Sequence, residues 1–90
     1  EVLHRIFQSF PQIEQVFLFG SRAKGTAKRA SDIDLAVVAP EMSPVEWAKF
    51  LGALNESPII LMMDAIHLDR LRDEALRARI SEEGIEIYAR

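Results

Sequence analysis

The strongest constraint on the fold is a pair of short apolar segments separated by a polar loop. Residues 16–19 are all apolar and β-favouring and end at Gly20, which is typical of a buried strand. A second strand is predicted over residues 33–39, where apolar residues alternate with other side chains before Pro40. Because such strands bury side chains on their faces, helices must cover them.

Helical patterns before and after these strands supply the cover. Apolar residues recur at helical spacing over residues 2–10, and Pro11 ends that helix. Ser43 followed by Pro44 is typical of a helix start, and this second helix is predicted to end near residues 55–58. It is expected to bury four large apolar side chains: Trp47, Phe50, Leu51 and Leu54.

The last third of the chain predicts a strand, a helix and a closing strand. The run over residues 59–66 has the length of a strand and is interrupted only by Asp64. Asp69 is predicted to cap a helix that ends before Gly84, and residues 85–88 form the closing strand. This order of elements predicts a mixed β-sheet with helices packed on it, an α/β or α+β two-layer arrangement.

Length and composition restrict the classes of function. Ninety residues predict a single domain over residues 1–90, and 49% apolar with 28% charged residues exclude a disordered chain. No stretch reaches the roughly 20 apolar residues that span a bilayer, so we expect no membrane partner. The amino end lacks a secretory signal and the chain has no cysteine, from which we expect a cytoplasmic protein. A net charge of −3 argues against broad binding of nucleic acid.

Asp32 and Asp34 stand at the start of the second predicted strand. Because alternate side chains of a strand point to one face, the two carboxylates are expected to project side by side, with Ile33 and Leu35 packing behind them. Parallel carboxylates repel one another, which favours a bound cation between them. Carboxylate oxygens suit Mg²⁺, which completes its octahedron with water and substrate phosphate. The alternative is that Ser31 and Asp32 cap the loop and that Asp34 is a solvated strand residue.

Asp64 is the only charged residue between Pro58 and Ile66, in a run otherwise suited to a buried strand. A lone carboxylate there is costly unless it is paired or bound to a metal. If this strand lies beside the strand of residues 33–39, Asp64 can face the same cleft and give a third ligand. The alternative is that the strand ends at Met63 and that Asp64 starts a turn.

Gly20 and Ser21 directly follow the first strand. Glycine lets the backbone approach a phosphate closely, and the Ser21 hydroxyl and the following amides can donate hydrogen bonds to it. The loop also carries four cations: Arg22, Lys24, Lys28 and Arg29. Beside the acids, these cations favour a triphosphate site with Arg22 among its ligands, whereas a basic loop taken alone indicates a solvated turn. A P-loop is excluded because Thr26 and Ala27 stand where Lys and Ser or Thr are required.

Two segments together resemble a known family. Gly-Ser-Arg-Ala-Lys-Gly at residues 20–25 and Ser-Asp-Ile-Asp-Leu-Ala-Val at residues 31–37 resemble the nucleotidyltransferase superfamily that includes DNA polymerase beta. More narrowly, the chain is similar to the minimal nucleotidyltransferases, the MNT antitoxins encoded beside HEPN toxins. The likeness covers nearly the whole chain, including the lone acid Asp64 and the closing Glu-Gly-Ile-Glu-Ile-Tyr at residues 83–88.

The resemblance implies a polymerase beta-like fold and a set of roles for the motif residues. Asp32, Asp34 and Asp64 would be the catalytic residues and bind two Mg²⁺ ions. Gly20 and Ser21 would hold the β- and γ-phosphates of ATP, the expected donor. Asp64 would accept the proton of the incoming hydroxyl, and the product would be a nucleoside monophosphate ester.

The short chain has no residues to spare for domains that grip an acceptor, so the acceptor surface is expected from a partner. The resemblance implies a HEPN-type toxin whose tyrosine hydroxyl is adenylylated and which is thereby silenced. Two alternatives stay open. One keeps the fold and uses a small-molecule acceptor of the aminoglycoside type; the other is a non-catalytic antitoxin that binds and occludes its toxin.

Overall fold

A computed structural model describes residues 2–20, 33–58 and 63–90. Its four strands are β1 (Gln15–Phe19), β2 (Ile33–Val38), β3 (Met63–His67) and β4 (Ile85–Ala89). Its α-helices are α1 (Val2–Gln8), α2 (Pro44–Asn55) and α3 (Glu74–Glu83), and a short 3-10 helix spans Leu68–Arg70. The predicted α/β class with a mixed sheet is confirmed. None of the helices in the described ranges is long and apolar enough to cross a membrane.

The four strands form one sheet in the order β3-β2-β1-β4. β1 runs antiparallel to both β2 and β4, whereas β2 and β3 are parallel. The crossover that joins β2 to β3 contains α2, as a parallel pair requires a long connection. The strands predicted over residues 16–19, 33–39 and 85–88 are therefore confirmed to within a residue at their ends, and the structure adds their spatial order. The strand predicted over residues 59–66 is confirmed from Met63 onward, and its first four residues lie outside the described ranges.

Helices cover both faces of this sheet. The first face carries Val16, Leu35 and Val37, which pack with Phe7 of α1 and Phe50 of α2 into the larger core. The second face carries the residues that alternate with these. They form a smaller core with Ile80 of α3, and its sheet members are Phe17, Phe19, Ala36 and Ile66. The second face is the one that also bears the candidate site.

The start of α2 is as predicted, whereas one residue that was predicted to be buried is exposed. The Ser43 side chain accepts a hydrogen bond from the Glu46 backbone N–H at 3.1 Å, and the Glu46 carboxylate accepts one from the Ser43 N–H at 2.9 Å. The hydrogen bond from the Ser43 backbone lowers the pKa of Glu46. Phe50 and Leu54 are buried as predicted, but Leu51 is 39% exposed, because it lies on the outer side of the helix.

The predicted cap of the last helix is wrong. Asp69 lies in the 3-10 helix, where its carboxylate accepts a hydrogen bond from the Ala39 backbone N–H at 2.6 Å. Asp73 caps α3 instead, by accepting from the Leu76 N–H at 3.1 Å. Both aspartates have the capping chemistry, and only the tertiary position of Ala39 gives Asp69 another partner.

Gly52 provides a test of a half-buried position of α2 that has free space beside it. A Cβ added to Gly52 would meet nothing within 4 Å. Glycine inside an exposed helix costs about 1 kcal/mol relative to alanine, mainly through backbone entropy. We therefore expect Gly52→Ala to raise the free energy of unfolding by about 1 kcal/mol and the melting temperature by about 4–8 °C. Urea and thermal unfolding followed by circular dichroism measure both quantities; a lowered midpoint would contradict the open environment of this position.

Candidate active site

Two carboxylates lie side by side near the amino ends of β2 and β3. Asp34 of β2 is the register partner of Asp64 of β3. Because paired residues of neighbouring strands point to the same face about 4.8 Å apart, both side chains lie on the second face of the sheet. Asp34 is half-buried and Asp64 is exposed. The alternative in which Asp64 starts a turn is wrong, since Asp64 lies inside β3.

Gly20 closes the other side of Asp34. Phe19, the last residue of β1, pairs with Asp34 across the antiparallel ladder, so the chain leaves β1 directly beside this carboxylate. Gly20 is buried and has φ +78°, which L side chains rarely adopt. A Cβ at Gly20 would lie 2.5 Å from Oδ2 of Asp34. Glycine is therefore required here both for the turn and for the space that the carboxylate occupies.

An apolar floor holds the two carboxylates in place. Ala36 and Ile66 follow Asp34 and Asp64 on the same face, two residues along each strand, and pack in the smaller core under α3. Ala36 is fully buried and Ile80 of α3 is 4% exposed. The carboxylates thus stand on paired strands backed by close packing, which fixes their separation better than a loop would.

The carboxylates of Asp34 and Asp64 suit a hard divalent cation. Two carboxylates on one face repel each other and are stabilised by a cation between them. Over residues 2–20, 33–58 and 63–90, no group of three His, Cys, Asp or Glu side chains is placed to hold a metal. The third predicted acid, Asp32, lies outside these ranges, as do Ser21 and Arg22. Their predicted roles as metal and nucleotide ligands stay predictions.

The register is what sequence reasoning could not supply. Asp34 and Asp64 were both candidates because of their residue type and their apolar neighbours, but the pairing of β2 with β3 was only a condition of the argument. Ala36 and Ile66, which floor the site, gave no signal in the sequence beyond their apolar character. Only the parallel ladder turns these residues into supports of the carboxylates.

Comparisons with known proteins agree with the fold. A family profile described as Polymerase beta, Nucleotidyltransferase matches residues 1–90. A toxin–antitoxin crystallised with AMP-PNP has a TM-score of 0.73 and 24% identity, over 99% of this chain and 72% of that chain. A mutant of the toxin–antitoxin MntA-HpeT has a TM-score of 0.76 and 21% identity, over 98% of this chain and 70% of that chain.

A third similar structure comes from Sulfolobus solfataricus and is described as a candidate nucleotidyltransferase. It has a TM-score of 0.61 and 27% identity, over 99% of this chain and 75% of that chain. No curated protein matches the chain. The solved structures therefore support the fold, and the family profile extends the likeness over the full length of the chain.

The positive φ of Gly20 gives a stability test of the site. We expect Gly20→Ala to lower the free energy of unfolding by about 1–3 kcal/mol, because alanine disfavours the positive φ and its Cβ clashes with Asp34. Urea unfolding measures the change, with Gly52→Ala as the matched control for the same chemical substitution. Equal effects of the two substitutions would contradict the close approach of Gly20 to the carboxylate.

Proposed function

The chain belongs to the polymerase beta nucleotidyltransferase family, and from this premise we propose that it transfers a nucleoside monophosphate to a hydroxyl of a partner protein. The observation that carries the proposal is the pairing of Asp34 with Asp64 on one face, with Gly20 against Asp34. We propose that residues 1–90 work as one nucleotidyltransferase domain in the cytoplasm.

Asp34 and Asp64 would hold Mg²⁺ together with Asp32. Carboxylate oxygens are the ligands that Mg²⁺ prefers, and the two described acids share a face and a register position. Two bound Mg²⁺ ions would lower the pKa of the acceptor hydroxyl and neutralise charge on the departing pyrophosphate. The fit rests on the chemistry and the placement of the donors.

Other residues would bind the triphosphate, and Asp64 would accept the proton. The backbone at Gly20, with Ser21 and Arg22, would bind the triphosphate beside the acids. In the transfer, the acceptor oxygen bonds to the α-phosphorus while the bond from that phosphorus to the bridging oxygen of the β-phosphate breaks and pyrophosphate leaves. The hydroxyl proton goes to Asp64, whose exposed carboxylate lies on the edge strand where an acceptor can reach it.

The acceptor is proposed from the similar structures. Two of them are toxin–antitoxin complexes, one with AMP-PNP, whose triphosphate chain mimics that of ATP. We propose that ATP is the donor, that the partner is a HEPN-type toxin, and that a tyrosine hydroxyl of this toxin receives AMP. The modification would neutralise the toxin, which makes this chain an antitoxin.

The test is transfer of label from ATP to the toxin encoded beside this chain, in the presence of Mg²⁺. Asp34→Asn and Asp64→Asn keep the side-chain size and remove the negative charge. We expect Asp64→Asn to reduce the initial rate of transfer about 10²–10⁴-fold, which is the range for losing a positioned acid–base group. Asp34→Asn should also reduce the rate, because a neutral amide does not balance the charge of Mg²⁺. Glu41→Gln makes the same change at an exposed carboxylate beyond the opposite end of β2 and should leave the rate unchanged.

The same assay separates the competing functions. If the original chain transfers no label and both aspartate variants still neutralise the toxin, the chain acts by binding and occluding the toxin and not by catalysis. Label found on an aminoglycoside but never on the toxin would replace the protein acceptor with a small molecule. Transfer at an undiminished rate by Asp64→Asn would remove Asp64 from the reaction.

A further inference from the structure

The two edges of the sheet are built differently. At the β4 edge the ladder to β1 shifts register between Val16 and Phe17. The Ile87 carbonyl of β4 also accepts a hydrogen bond from Nε2 of His4 at 2.8 Å. Bulges and covering side chains are the means by which proteins stop an edge strand from pairing with another chain. The β4 edge is therefore protected against strand pairing.

The β3 edge carries no such protection in the described ranges. β3 pairs with β2 through five consecutive residues without a shift in register. Over residues 2–20, 33–58 and 63–90, no backbone hydrogen bond reaches β3 from outside the sheet. Alternate residues of this strand direct their N–H and C=O groups away from β2, since each residue of a parallel ladder bonds to one side. These groups are able to pair with an added strand.

The candidate site lies on this same edge. Asp64 is an exposed residue of β3, and its side chain is on the second face with Ile66. A strand added outside β3 would lie about 4.8 Å away, and the residue opposite Asp64 would point to the same face. Its Cβ would lie about 4.5–5.5 Å from that of Asp64, which brings its side chain to the carboxylate.

We propose that the outer edge of β3 binds an extended segment of the acceptor polypeptide by strand addition and presents its hydroxyl residue to Asp64. Main-chain hydrogen bonds to β3 provide the affinity, and alternate side chains provide the selection. The segment carries the hydroxyl residue at the level of Asp64 and an apolar residue two positions away, where it packs on half-buried Ile66. The inference rests on the function proposed above and names how its partner is held.

Hydrogen exchange of the intact complex tests the surface. The chain and the adjacent toxin are combined without nucleotide, so that no transfer occurs, and amide exchange is followed residue by residue. We expect the outward amides of β3 to slow about tenfold or more, because exchange then requires the added strand to open. The amides of β4 serve as the internal control and should keep their rates.

A peptide acceptor tests the strand geometry itself. Peptides are made from the toxin segment whose hydroxyl receives the label, with that hydroxyl free. Each peptide carries a single N-methyl group, placed at successive backbone positions. Strand addition predicts that label transfer falls about tenfold or more at alternate positions, where the amide faces β3, and is unchanged at the positions between. Equal losses at neighbouring positions would overturn strand addition.

The outcomes separate this inference from the function beneath it. Label transfer to the toxin with protection at β4, or on the helices and not at β3, would overturn the β3 surface and leave the transferase activity standing. The absence of both a complex and label transfer would remove the proposed toxin acceptor and this surface together. Protection at β3 without label transfer would support the surface and count against catalysis.

Discussion

The parallel pairing of β2 with β3 is the interaction on which the candidate site depends. It aligns Asp34 with Asp64 in one register, so that two carboxylates 30 positions apart in the chain share one face of the sheet. A shift of one residue would turn Asp64 to the opposite face, because the side-chain period of a strand is two. The larger core over the first face, with Phe7 and Phe50, resists such a shift by burying the alternate residues of β2.

The second face of the sheet carries the two carboxylates at one end and apolar packing over the rest. On the second face, Ala36 and Ile66 join the smaller core with α3, and the next residues on the same face toward the site are the two aspartates. Gly20 leaves β1 at this point with φ +78° and without a side chain that would meet Asp34. The backbone, the carboxylates and the apolar floor therefore constrain one another.

The two edges of the sheet differ in the same way as its two ends: one edge borders the site and the other does not. His4 of α1 bonds to Ile87 and blocks the edge that lies far from the acids in strand order. β3 is short and regular and contains Asp64, so the edge without protection in the described part of the chain is also the edge that borders the site. An acceptor that completed the sheet would meet Asp64 without any movement of the core.

Local signals were sufficient for most of the elements. The Ser43–Pro44 start of α2 and the predicted strands agree with the structure, and α1 ends at Gln8, two residues before the predicted end. Capping and strand patterns are properties of a few neighbouring residues, so they can be recognised in the sequence. The errors arose where a distant residue decided the outcome. Asp69 accepts a hydrogen bond from the Ala39 N–H and does not cap α3. Leu51 is exposed because other residues of α2, among them Phe50 and Leu54, fill the larger core.

The sequence by itself determined the candidate residues and the family: acids in strand context, a glycine after a buried strand and the family that these residues resemble. Only the tertiary structure decided which acids meet, which face they occupy and which edge stays open to pairing. The physical reason is that residue type and short-range periodicity act within one element. Register and strand order arise from contacts between elements far apart in the chain.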